Sequence, residues 1–296
     1  MPTTIFSKTL LLSFTIIVCL SSCKRNDDTN QACNLHPELC NRQYNQVAYP
    51  ATHNSQSYSP TFNALVANQN HNITQQLTDG IRCLNIDTYL LVNDPYCTDS
   101  GIYVIHAYPG LGCEPIAKVL GEIKTFLAAN PREVLTITIE DTNLSIEQLN
   151  IVFEQANLKQ YLYKGNTQNW ATLAQMIDQN QRLVVFANID NADSIAGFRK
   201  NWDYIVDTHY DAQSRADFSC NFYRGNANNA LYLVNHFITT ISPNPDSAAV
   251  VNANPFLLNR LRNCQQQSGK LPNFVYVDFY DTGDLFAAID SLNGVK

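Results

Sequence analysis

From residue 44 onward, short apolar runs alternate with longer stretches in which apolar residues return every three or four positions. The short runs fall at 46–51, 81–89, 102–106, 134–140, 182–187, 204–208, 231–236 and 274–279, and each predicts a strand. Several are apolar on consecutive residues, as strands buried on both faces should be. The helical patterns lie at 115–129, 146–156, 172–179, 254–267 and 285–292, and Asn130-Pro131 stops the first of them. Eight strands alternating with helices over about 250 residues predict an α/β protein of the (β/α)8 TIM-type barrel class, with a doubly wound sheet as the alternative.

The polar residues favour the barrel, whose active sites form at the C-terminal ends of the strands. His53 follows the first predicted strand, and Asn85 and Asp87 lie near the end of the second. His106 ends the third, Glu140 ends the fourth, and Asp278 lies near the end of the eighth. Cleaving a phosphodiester needs one proton removed from the nucleophile and one given to the leaving oxygen, so His53 and His106 are the expected proton-transfer pair. Asn54, Asn85, Asp87 and Glu140 offer oxygen alone, which suits Ca²⁺, with Mg²⁺ as the second choice, rather than zinc. Within 137–140 the alternation puts Thr138 and Glu140 on one face, and an inward glutamate at a barrel mouth needs a partner. Arg224, His236 and Tyr280, with His209 and Asn235, are further candidates to line the mouth and read a head group. Arg224 is the one suited to an extra phosphate.

The chain has 296 residues, 45% of them hydrophobic, enough for one large domain. A net charge of −7 without basic runs argues against nucleic acid as the main partner, and against strong electrostatic binding to anionic membranes. The N-terminus reads as a targeting segment. Lys8 supplies a positive charge, and the apolar run 9–20 is too short to span a bilayer. Leu20-Ser21-Ser22-Cys23 resembles a bacterial lipoprotein signal, in which the cysteine is lipidated. The expected organisation is a signal over 1–22, a tether and cysteine-closed loop over 23–43, and the catalytic barrel over 44–296. The expected product is an exported protein, membrane-anchored through Cys23 or else secreted. Export permits disulfides. Of the seven cysteines after Cys23, local spacing pairs Cys33–Cys40, Cys97–Cys113 and Cys220–Cys264, leaving Cys83 free. No oligomerisation signal is visible.

Ordered stretches carry a resemblance. They are 48–55 (AYPATHNS), 75–82 (QQLTDGIR), 84–89 (LNIDTY), 104–106 (VIH), 126–134 (FLAANPREV) running into Ile139-Glu140-Asp141, and 272–280 (PNFVYVDFY). Together the chain resembles the X-type catalytic barrel of phosphatidylinositol-specific phospholipase C, over roughly residues 33–293. The resemblance implies a TIM-type barrel that cleaves a phospholipid by attack of the inositol 2-hydroxyl on phosphorus. It implies that His53 and His106 are the two family histidines, and that Asn54, Asp87 and Glu140 match calcium-ligand positions of the metal-dependent branch. The metal-free bacterial branch carries arginine where this chain has Asp87, so metal dependence is expected. One position departs. Where the metal-dependent branch usually has glutamate, this chain has Asn85, and an amide cannot take a proton. His53, oriented by Asp278, is then the expected base and His106 the acid. Two rival readings keep the barrel: a binding module for phosphorylated head groups, motivated by Asn85, and an enzyme acting on another phosphodiester.

Overall fold

Ten strands and eight helices follow one another along the described residues of the computed structural model, 1–3 and 31–295. The strands are β1 (Tyr49–Thr52), β2 (Cys83–Leu91), β3 (Gly101–Ile105), β4 (Cys113–Pro115), β5 (Leu135–Thr142), β6 (Leu183–Ala187), β7 (Phe198–Lys200), β8 (Ile205–Asp207), β9 (Leu231–Asn235) and β10 (Pro272–Val277). The helices are α1 (Ile73–Asp79), α2 (Ile116–Ala129), α3 (Ile146–Gln155), α4 (Leu173–Asp178), α5 (Asn201–Tyr204), α6 (Pro245–Val251), α7 (Phe256–Ser268) and α8 (Leu285–Asn293). The expected signal over 1–22, the lipidated Cys23 and the tether up to residue 30 lie outside the described residues.

Eight strands form one parallel path in the order β7-β6-β5-β2-β1-β10-β9-β8. Read in chain order the path runs once around a TIM-type barrel, because β10 returns to pair with β1. Among the described residues no ladder joins β7 to β8, and the single turn of α5 links them across that seam. The fold class is therefore the expected one, but its strand membership differs. The predicted strand 102–106 is not a barrel strand. Its counterpart β3 pairs antiparallel with an extension of β2 and with β4, making a hairpin above the barrel. Its place in the count is taken by β7, which reads Phe198-Arg199-Lys200 and is polar for two of three residues. The short helices α1, α5 and α6 also escaped the periodicity.

The alternation of each strand sorts the apolar residues into two layers. Ile86, Leu135, Ile137, Ile139, Val185, Val234, Val275 and Val277 pack outward against the helices. Tyr49, Ala51, Cys83, Val184, Phe186, Leu231, Leu233, Phe274 and Tyr276 pack inward. The Cys33–Cys40 loop and Tyr44 join this inner set from below and plug the barrel floor. Tyr44 lies against Tyr49, Trp170 and Phe274, and its hydroxyl meets Thr136 Oγ1 at 2.5 Å. Each such ring, fully buried, contributes about 1.5–3 kcal/mol. The expected disulfides Cys97–Cys113 and Cys220–Cys264 are also formed, and Cys83 is free and buried. No helix among the described residues is long and apolar enough to cross a membrane.

Candidate active site

Moving up the inside of each strand, the same alternation exchanges rings for polar groups. On β2, Cys83 is followed inward by Asn85 and Asp87; on β5, Thr138 by Glu140; on β9, Leu233 by Asn235; past β10, Tyr276 by Asp278. Asn85, Asp87, Glu140 and Asn235 meet at a cavity of about 190 Å³ at the C-terminal mouth, lined also by His53, Asn54, His106, Arg224 and Phe237.

His53 leaves the end of β1 with its ring flat on Phe237, the centroids 3.7 Å apart. Its Nδ1 donates to Asp278 Oδ1 at 2.8 Å, and Asn68 Nδ2 donates to the same oxygen at 3.0 Å. A carboxylate only accepts, so the proton sits on Nδ1 and Nε2 keeps its lone pair toward the cavity. Asn54 has a left-handed backbone (φ 44°), which asparagine tolerates. That turn sets its Nδ2 3.1 Å from His53 Nε2 and 3.4 Å from His106 Nε2. His106 arrives on the β3–β4 hairpin, which the Cys97–Cys113 disulfide ties, and its Nδ1 lies 3.6 Å from Asp87 Oδ2.

The opposite wall belongs to Arg224, from the loop between β8 and β9. Its Nη1 lies 3.3 Å from Glu140 Oε2, and its Nη2 and Nε donate to Asp207 Oδ2 at 2.6 and 2.9 Å. Trp202 and Tyr210 cover the guanidinium. Burial opposes its charge, yet Glu140 and Asp207 together hold its pKa above the ordinary value. Burial pushes the Glu140 and Asp207 carboxyls up, and for Glu140 the neighbouring Asp87 and Asp207 add to that against the pull of Arg224.

The family model described as PI-PLC X matches residues 39–293. The chain belongs to the PI-PLC X family. It is 29% identical over 248 residues to a PI-PLC X domain-containing protein of Arabidopsis thaliana, covering 77% of this chain and 55% of that one. It is 27% identical over 284 residues to PI-PLC X domain-containing protein 1 of Arthroderma benhamiae, covering 89% and 90%. A protein of the same fungus named as secreted is 23% identical over 283 residues, covering 87% and 62%. The chain thus spans little more than half of the plant relative. Among solved structures, the phosphatidylinositol-specific phospholipase C of Listeria monocytogenes superposes with a TM-score of 0.57 at 15% identity, covering 86% of this chain and 94% of that one. A Staphylococcus aureus phosphatidylinositol-specific phospholipase C gives 0.60 at 14%, again with 86% and 94%. At such identities these two speak for the fold. The disulfides together with the secreted relative support export.

Within this PI-PLC X barrel the sequence-predicted residues divide. His53, Asn54, Asn85, Asp87, His106, Glu140, Arg224 and Asn235 line one cavity, and Asp278 stands behind His53. His236 and Tyr280 do not join them. His236 follows the inward Asn235, so its ring points outward and is fully buried against Val251 and Arg260. Tyr280 is buried on the outside of the barrel, its hydroxyl donating to Asp79 at 2.6 Å. His209 is exposed and packs on Tyr210 and Tyr223. Asp207, Asn68 and Phe237 were missed. Asp207 carried the signal that found Glu140, an inward acid ending an apolar strand, whereas Asn68 and Phe237 sit in loops with no periodic signal.

The four residues expected to hold a cation all line this cavity, and each also has contacts within the chain. Asn85 Oδ1 accepts from the Asn54 backbone N–H at 3.0 Å, while its Nδ2 is buried without a partner. Asp87 accepts from Gln56 and from the Asp141 backbone, and Glu140 is paired with Arg224. Among the described residues no three His, Cys, Asp or Glu side chains are grouped to ligate a metal.

Proposed function

We propose that this chain cleaves phosphodiesters of the phosphatidylinositol class, with His53 as base, His106 as acid and Arg224 as the resident cation. The observation that carries the reading is that both imidazole Nε2 atoms face one amide, Asn54 Nδ2, from 3.1 and 3.4 Å. A phosphate entering there displaces that amide and lies between the two rings. His53 Nε2 takes the proton of the attacking hydroxyl, and Asp278 keeps the ring in the tautomer that can do so. His106 gives a proton to the leaving alkoxide oxygen, and the Arg224 guanidinium offsets charge on the non-bridging oxygens. For an inositol phospholipid the hydroxyl is the ring 2-hydroxyl, the products being a diacylglycerol and a cyclic inositol phosphate. No step here runs through a metal ion; Asn54, Asn85, Asp87 and Glu140 would be the residues to hold one, and it would supply further positive charge beside the phosphate. A lipid anchor at Cys23 would hold the barrel at its substrate.

The test is phosphorus NMR of phosphatidylinositol micelles incubated with the full chain, with calcium or with chelator. Cyclic inositol phosphate in both arms is the expected result. Product with calcium alone would restore the cation reading and remove Arg224 from its role. Product in neither arm, followed by turnover of another head group, would keep the chemistry and change the substrate. A second reading, a head-group binding module, rests on Asn85, which puts an amide where an acid would serve catalysis. Asn85→Glu decides it: no turnover in either form, with retained head-group binding, would favour the module.

A further inference from the structure

A second and larger cavity, about 610 Å³, opens on the side of the barrel between the β8–β9 loop and the start of α7. Arg215 and Arg260 line it and no acidic residue does. Arg260 is only 8% exposed. Its Nη1 lies 2.8 Å from His236 Nδ1, and its Nη2 donates to the Ser219 carbonyl at 3.1 Å. His236 Nε2 donates to the Val251 carbonyl at 2.9 Å, so Nδ1 is a neutral acceptor. Arg260 Nε has no partner. Arg82 and Arg224, by contrast, each meet a carboxylate, and the equally buried Arg182 finds four oxygen acceptors. Among the described residues no carboxylate pairs with Arg215 or Arg260. In a chain of net charge −7 this is an unmatched pair of cations.

The geometry also presents them for binding. Arg260 lies over Phe218 at 4.3 Å and Arg215 over Phe256 at 3.9 Å, and the two rings stand 6.1 Å apart. Each guanidinium thus sits over an aromatic face, and guanidinium N–H groups suit planar recognition of an oxyanion. A buried charge without a counter-charge is costly, and an anion in the cavity would relieve that cost. We propose that this cavity binds a phosphate-type oxyanion, separate from the substrate at the mouth, with the phenylalanine rings as a shelf for an apolar portion of its carrier.

The experiment is calorimetric titration of the full chain in detergent with phenyl phosphate and with inorganic phosphate. Arg215→Ala is the main variant, because that side chain is exposed and its loss spares the core; Arg260→Lys is the second. Both should weaken binding at least about tenfold, the scale of losing one charge-assisted contact, with phospholipid turnover unchanged. Tighter binding of phenyl phosphate than of inorganic phosphate would assign the site to amphiphilic phosphates, and equal binding to the free anion. Affinity unchanged in Arg215→Ala, absence of binding at millimolar probe, or loss of binding in His106→Ala instead would overturn the proposal.

Discussion

The floor and the mouth of this barrel are built from the same strands by the same alternation, yet they behave as opposite materials. On the floor the inward positions are Tyr49, Phe274 and Phe186, sealed by Tyr44 and Trp170. At the mouth the inward positions are Asp87, Glu140, Asp207 and Asp278, held by two imidazoles, a guanidinium and several amides. The floor gains from removing apolar surface from water. Mouth acids such as Glu140 are instead held against their preference by partners, as the raised Glu140 and Asp207 carboxyls record. Stability and chemistry are thereby separated along one axis, and substitutions should divide the same way.

The largest effect is expected at the mouth. His53→Ala or His106→Ala should lower turnover by about 10²- to 10⁴-fold, with the unfolding midpoint in urea nearly unmoved. Full turnover in both would end the two-histidine mechanism. On the floor the reverse is expected. Phe274→Ala should cost about 3–5 kcal/mol of stability, read as a shifted urea midpoint, while turnover per folded molecule stays near the parent value. A large catalytic loss there would mean that floor and mouth are not separate.

Arg224 sharpens the comparison because it belongs to both materials. Arg224→Met removes the cation at the cavity wall and leaves Glu140 and Asp207 without a counter-charge, although Asp207 keeps the residue 224 backbone N–H and Asn235 Nδ2 as donors. Breaking a buried pair from one side costs about 3–5 kcal/mol. Glu140 keeps a fifth of its side chain exposed, which softens this toward about 2 kcal/mol. Turnover should fall at least about tenfold, the scale of losing one charge-assisted contact to the transition state, with chelator having no effect on the parent. Unaltered turnover would show that the guanidinium serves the fold alone.

Much of this division could be read from the chain. The barrel was legible because its strands are apolar on consecutive residues, and the mouth because polar residues recur where those runs end. The errors have local causes. Residues 102–106 read as a buried strand since Tyr103, Val104 and Ile105 are indeed buried, but in a hairpin above the barrel. The three residues of β7 gave no signal because Arg199 is buried by stacking on Tyr163 and Trp170, a contact distant in sequence. For His236 the needed rule was already in hand. Leu231, Leu233 and Asn235 face inward, so the next residue must face out. Tyr280 was beyond that rule, since Phe279 takes a left-handed backbone (φ 47°) and breaks the alternation.

That outward histidine supplies the smallest of the expected effects and the one most specific in form. Burial, then the charge of Arg260, lowers the His236 pKa from 6.5 to about 3. In the unfolded chain the ring titrates near 6.5. Between these values the unfolded state binds the proton and the folded state does not, so stability falls as pH drops below 6.5 and is fully present above it. From pH 7 to pH 5 the loss attributable to this group is about 2 kcal/mol. His236→Gln keeps an acceptor for Arg260 and a donor for Val251, does not titrate, and should be less stable at pH 7. The difference in urea midpoint between parent and variant should then shrink as the pH is lowered to 5. A constant difference across that range would mean that His236 takes up its proton in the folded protein as readily as in the unfolded chain, and the hydrogen bond from Arg260 to its Nδ1 could not then persist at pH 5 as described.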